Sequence, residues 1–360
     1  MSAPPKIGVS SASASARGQL YRAAIVGAGT LKGKEVAEML SERNFPAVDI
    51  RLLDDDESIG QLEATGDEIN FIQSVRSEQF THVDFTFFAA DAECTRNNWK
   101  RARDAGSAII DLSGALEKEA GAQVRSLWIE RERGKMWQPE LQPAPCVVAH
   151  PAAVAVALLL LRARKAGTTR SAAVTVFEPA SEQGQKGMDE LHQQTVNLLS
   201  FQTLPKDLFD TQVAFNMVQR YGQKSRLSLD SLEARVRSHY RELAGADAAQ
   251  PAFLVVQPPV FHGHALGIFL EMDQPVNEEK LLQALGGDHV SLAVGDEDDS
   301  QPSNVNTAGQ ANILVALKSE PARPNGIWLW AAIDNLRVAA VTAVECAESM
   351  IATRPVGKIQ

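Results

Sequence analysis

The chain is 360 residues long, 44% hydrophobic and 22% charged, a balance suited to two globular domains with cores of their own. Its 35 basic against 45 acidic residues leave a net charge of −10, which argues against a general nucleic-acid binder. The most apolar run, 154–161, stops at Arg162, Arg164 and Lys165; it is too short for a bilayer and reads as a core helix, with no membrane partner.

Residues 1–19 are small and polar, lack the apolar core of a secretion signal, and read as a disordered tail. Cys94, Cys146 and Cys346 are widely spaced and suggest neither a disulfide framework nor a metal site. A cytoplasmic protein fits this pattern.

Tyr21–Val26 is a short apolar strand that runs into Gly27-Ala28-Gly29-Thr30-Leu31-Lys32-Gly33 and a helix-like KEVAEMLSER. Strand, glycine turn and helix form the unit that cradles a pyrophosphate, because glycines admit close approach and the helix end offers free N–H groups. The spacing departs from GxGxxG, so the turn is informative only within the pattern that follows. Strands are predicted at 48–53, 85–89 and 107–111, with a helix over 96–104. This alternation gives an α/β, Rossmann-type parallel sheet.

An acidic residue at the end of the second strand suits the ribose of NAD, whereas an arginine there would suit NADP. The sequence has Asp54-Asp55-Asp56-Glu57. Two readings stand side by side: an NAD site, or a solvated acidic turn that holds no cofactor. NADP is disfavoured in either case.

Past residue 151 the order of elements changes. A helix over 152–165, strands at 172–177, 253–257 and His264–Met272, a helix over 186–200, a strand at Gly326–Ile333 and a closing helix at Asn335–Ile351 describe an α+β domain. The acidic run 296–299 reads as a solvated face.

The segments GAGTLKGKEV, PELQPAPCVVAHPAA (139–153), SEQGQKGMDEL (181–191), VVQPPVFHGHA (255–265) and DNLRVAAVTAVECAE (334–348) occur in the order found in aspartate-semialdehyde dehydrogenases. From 21 to 352 the chain resembles that family. The resemblance implies a Rossmann NAD(P)-binding-like domain (20–150), a catalytic and dimerisation-like domain (151–334), a last helix (335–354) returning to the first domain, and a homodimer. It also implies reductive dephosphorylation of an acyl phosphate with NADPH. In that chemistry a cysteine carries the acyl group, a histidine moves protons, a glutamine positions the intermediate and an arginine binds the substrate carboxylate.

Position by position the match fails at the centre. Ala153 in His150-Pro151-Ala152-Ala153 stands at the nucleophile position, and a methyl cannot form a thioester. Glu178 replaces the glutamine, and Gln257 replaces the arginine and cannot grip a carboxylate as a charged fork. His264 is retained, although a structural role is the simpler reading for it. The resemblance places dinucleotide contacts at Gly27, Gly29, Thr30, Leu31, Gly33, Asp54 and Asn335. Glu57, Glu117 and Val338-Ala339 depart from cofactor-side residues of the family. Glutamine at 257 and the missing cysteine are features of the Usg-type branch. Cys146, placed about 23 Å from Ala153 by seven residues of extended strand, offers no substitute.

Three readings follow. The first is a protein that keeps the scaffold, and with it dinucleotide binding, but has lost thioester activity; it binds a small molecule or a partner. The second is an active NAD(P)-dependent oxidoreductase on an aldehyde or acyl phosphate of aspartate-family amino-acid biosynthesis, with His150, His264 or Glu178 as acid–base groups. The third is a regulatory subunit pairing with a true dehydrogenase.

Overall fold

The computed structural model describes residues 21–54, 60, 62–65, 68–135, 144–293 and 301–351. The predicted tail, Asp55, Asp56, Glu57 and the acidic run 296–299 lie outside the described residues.

The chain opens with β1 (Tyr21–Val26), α1 (Leu31–Glu42) and β2 (Ala47–Asp54). A hairpin, β3 (Leu62–Thr65) and β4 (Glu68–Phe71), leads to β5 (Gln73–Ser74) at the sheet edge. Then follow β6 (Phe85–Phe88), α2 (Ala92–Asp104), β7 (Ala108–Asp111), β8 (Gln123–Arg125), α3 (Leu127–Arg133) and β9 (Cys146–Val148). Seven strands lie in the order β5-β2-β1-β6-β7-β9-β8, all paired in parallel. All residues of β6 and β7 are buried, which is why they read as unbroken apolar runs rather than alternating ones. α2 begins ahead of the predicted 96 because Asp91 caps it, its carboxylate accepting the Glu93 and Cys94 N–H groups at 2.9 and 2.8 Å.

The second half begins with α4 (Pro151–Ala166), buried on nearly every side as its apolar run requires. It continues through β10 (Thr169–Phe177), α5 (Gly184–Leu199), α6 (Leu229–Ala244), β11 (Ala252–Val256), β12 (His264–Met272), α7 (Glu278–Leu285), β13 (Val290–Leu292), β14 (Ile313–Ser319), β15 (Gly326–Ile333) and α8 (Asn335–Ile351). Six strands form a mixed sheet in the order β11-β10-β12-β15-β14-β13. One face of that sheet packs inward; Leu254, Trp328 and Trp330 on the other are 43%, 40% and 42% exposed. α8 packs on α1, where Arg337 pairs with Glu35 at 2.8 Å and Arg43 with Glu348 at 2.6 Å. Among the described residues no helix is long and apolar enough to cross a membrane.

Candidate functional site

The glycine turn is shaped by contacts that allow no side chain. Gly27 has φ +87°, and a Cβ there would stand 2.3 Å from the Ala90 nitrogen. At Gly33, inside α1, a Cβ would meet the Gly27 carbonyl oxygen at 2.0 Å. The Thr30 hydroxyl donates to the Gly27 carbonyl at 2.8 Å and accepts the Gly33 N–H at 3.0 Å, capping α1, which starts at Leu31. Asp54, buried at the end of β2, accepts the Gly29 N–H at 2.8 Å. The strand-end acid and the turn therefore meet. Beside them lies a cleft of about 330 Å³ whose lining includes Asp54, Ser74, Asp91, Glu93, Cys94 and Asn98.

The second cluster forms where α4, β10, β12 and α8 begin or end. Pro151 opens α4, and His150 caps it, its Nδ1 accepting the Ala152 N–H at 3.3 Å. The His150 N–H donates to His239 Nδ1 of α6 at 2.9 Å. Ala153 lies in the first turn of α4, fully buried. A thiol there would be activated by the helix end; the methyl is inert.

β10 and β12 run antiparallel with Phe177 opposite Ala265, so the next pair outward, Glu178 and His264, face each other. Both are completely buried, and His264 Nε2 lies 2.7 Å from Glu178 Oε2. Burial raises the Glu178 carboxyl above the usual carboxylate range against the pull of His264. His150 is held well below its ordinary value by burial. Its ring lies against that of His264, centroids 5.3 Å apart.

Gln257 is turned away from any ligand role. Its Oε1 accepts the Tyr221 hydroxyl at 2.9 Å, its Nε2 donates to the Pro258 carbonyl at 2.9 Å, and its backbone pairs with Val218. Asn335, at the start of α8, ties the cluster together. Its Oδ1 accepts the Ser181 hydroxyl at 3.2 Å and the Gly263 N–H at 3.0 Å, while its Nδ2 donates to Glu182 Oε1 at 2.9 Å. The other oxygen of Glu182 pairs with Lys32 of α1 at 3.0 Å. Burial works to raise Glu182, but the Lys32 ammonium and its other neighbours outweigh it, holding the carboxyl below the usual range. Val338 and Ala339 are buried in α8. Glu117 pairs with His239 at 3.1 Å and with Arg235 of α6.

The site thus brings together His150, Glu178 and His264, leaves Ala153 buried in the first turn of α4, and sets Gln257 into its own buried pairings. Sequence reasoning missed Glu182, Lys32, Tyr221 and His239. Glu182 stands four residues after Glu178, a spacing that could have marked it; the others carry no local signal. The seven-residue extended path from Cys146 to Ala153 does not exist, because β9 ends at Val148 and the chain enters α4 at Pro151. Cys146 is buried beside Cys346, whose thiol is pushed well above its ordinary value by that neighbour and by burial.

The semialdehyde dehydrogenase NAD-binding domain matches residues 22–144, and the semialdehyde dehydrogenase dimerisation domain matches residues 160–338. The chain belongs to the semialdehyde dehydrogenase family. Within it, a USG-1 protein homolog of Pseudomonas aeruginosa is 32% identical over 338 residues, covering 92% of this chain and 98% of that one. An aspartate-semialdehyde dehydrogenase of Rickettsia bellii is 25% identical with the same coverage. The resemblance to the Usg-type branch therefore holds. Among solved structures, a probable aspartate-semialdehyde dehydrogenase from Pseudomonas aeruginosa superposes with a TM-score of 0.80 at 30% identity, covering 93% of this chain and 99% of that one. The Vibrio cholerae aspartate semialdehyde dehydrogenase II complexed with ASA has a TM-score of 0.81 at 23% identity, covering the same shares, and so shares the fold.

Proposed function

We propose that this chain is a cytoplasmic, homodimeric member of the family that binds a dinucleotide but no longer carries out thioester chemistry. Residues 20–150 would hold the dinucleotide through Gly27, Gly29, Thr30, Leu31, Gly33, Asp54 and Asn335. Residues 151–334 would form the dimer, and 335–354 would lead back to the first domain.

The observation that carries the reading is Ala153. It stands in the activating first turn of α4 with no nucleophile to activate. The re-pairing of its neighbours supports it, since His264 is engaged by Glu178 and Gln257 by Tyr221. The acidic lining of the cleft beside Asp54 favours NAD over NADP, because a 2′-phosphate would meet carboxylates there. The exposed Leu254, Trp328 and Trp330 form an apolar sheet face suited to a second copy.

Purified protein should show no phosphate-dependent oxidation of aspartate semialdehyde with NAD or NADP. Clear turnover would overturn the reading. Titration with the two nucleotides tests the cleft separately, and tighter binding of NADP would contradict its assignment.

A second reading is favoured by the unpartnered His150 Nε2 and His264 Nδ1. These nitrogens would serve as acid–base groups for direct hydride transfer on an aldehyde. Turnover of an aldehyde series with NAD, independent of phosphate, would favour it over the first.

A further inference from the structure

We infer that His150, Glu182 and His264 form a buried site for one divalent transition-metal ion of the zinc class. The three side chains come from separate elements: the cap of α4, the turn after β10 and the first residue of β12. One ligand atom from each lies within 4.8 Å of the others. His150 and His264 are 3% and 0% exposed, yet His150 Nε2 and His264 Nδ1 have no hydrogen-bond partner. Buried polar atoms are normally paired. Two such atoms on residues of one cluster indicate that something else satisfies them.

A metal ion fits the donor set. Two imidazoles and a carboxylate select zinc, cobalt or ferrous ions over magnesium and calcium, which favour oxygen ligands throughout. Glu178 occupies His264 Nε2 at 2.7 Å, which leaves Nδ1 to offer its lone pair, the arrangement in which an outer carboxylate orients a ligating histidine. Asn335 anchors Glu182 through Oε1 at 2.9 Å, while Oε2, paired with Lys32 at 3.0 Å, is the oxygen a cation would take from it.

Two adjustments accompany binding. Bonds of about 2.1 Å set tetrahedral donors about 3.4 Å apart, so the side chains close in on the ion. Ligation through His150 Nε2 moves the ring proton to Nδ1, and the 3.3 Å cap to Ala152 is given up. The positive end of α4 and the Lys32 ammonium oppose a cation, and the carboxylates of Glu178 and Glu182 offset them. The competing arrangement is the one in which Lys32 alone neutralises Glu182.

The inference goes beyond the proposed loss of thioester chemistry, and its test reads no turnover. Full-length protein without a polyhistidine tag is stripped with a chelator, dialysed against Zn2+ and assayed for metal by mass spectrometry. Co2+ loading, followed by its visible absorption, reports the ligand set. The wild type should hold one ion per chain and melt at a higher temperature when loaded. His150→Asn keeps a helix cap, and Glu182→Gln keeps an acceptor for Asn335; each should bind at least tenfold more weakly. His192→Gln, on the exposed side of α5, should bind as the wild type does. Should one of the first two variants fail to fold, the other decides. Absence of stoichiometric metal in the wild type, undiminished binding in the folded variants, or loss in His192→Gln would overturn the assignment.

Discussion

At position 153, the proposed nucleophile position, stands a methyl, and the other proposed site residues have partners of their own. His264 is bound to Glu178, and Gln257 is bound to Tyr221 and the Pro258 carbonyl. Ala153→Cys alone should therefore leave turnover of aspartate semialdehyde below detection. Combining it with Glu178→Gln and Gln257→Arg frees the histidine and returns the positive charge. Measurable phosphate-dependent reduction of NAD by this triple variant would show that side-chain loss alone silenced the scaffold. A second residue-scale effect concerns His262, 3.0 Å from Asp334. Burial works against its charged form, but the hydrogen bond and charge of Asp334 outweigh it and raise the histidine; Asp334 is lowered in turn. A raised histidine stabilises fully below its unfolded value of about 6.5 and loses that contribution as pH climbs through its folded value. The lowered Asp334 sets the acid limit, its contribution fading as pH falls from about 3.9 through its folded value. The melting-temperature gap between wild type and His262→Gln should be widest near pH 5 and narrow by pH 9, corresponding to no more than about 1 kcal/mol for a partly solvated pair.

Elements that draw on local rules were legible; those that draw on distant neighbours were not. The turn from β1 into α1 is a local device, and its cost can be measured by urea unfolding. Gly27→Ala forces a Cβ into the Ala90 backbone at positive φ and should cost about 3 kcal/mol or more. Thr30→Ala removes a helix cap and should cost about 1 kcal/mol. The predicted strands His264–Met272 and Gly326–Ile333 and the closing helix Asn335–Ile351 coincide with β12, β15 and α8, because β-branched and apolar runs bounded by turn residues leave few alternatives. The helix over 186–200 begins at Gly184 instead, an extension that periodicity of apolar residues cannot register. α6 went unread although Leu229, Val236, Tyr240 and Leu243 mark its buried face, and with it went His239 and its bond to the His150 backbone. Ala153, Glu178, Gln257 and His264 were named by resemblance. Their pairings were not, since Glu178 and His264 are 86 residues apart and meet through the register of two strands.

At the scale of the whole molecule, the proposed homodimer rests on the outer face of the six-stranded sheet. Trp328 and Trp330 alternate outward along β15, and burying two such rings is worth several kcal/mol. Light scattering after size exclusion should give the mass of two chains for the wild type and of one for Trp328→Glu with Trp330→Glu; a wild-type monomer would remove the assignment of this face. The halves of the chain are also joined by the ion pair from Lys32, one residue into α1, to Glu182. That bond makes one carboxylate and one ammonium answerable to two places at once. A cation drawn to Glu182 releases Lys32 toward an anion at the glycine turn, and an anion there releases Glu182 toward the cation. Thermodynamic reciprocity then requires each ligand to strengthen the other by the same factor, so NAD should bind more tightly with Zn2+ present than without it. A single surface-crossing contact would make the two halves report on each other's occupancy.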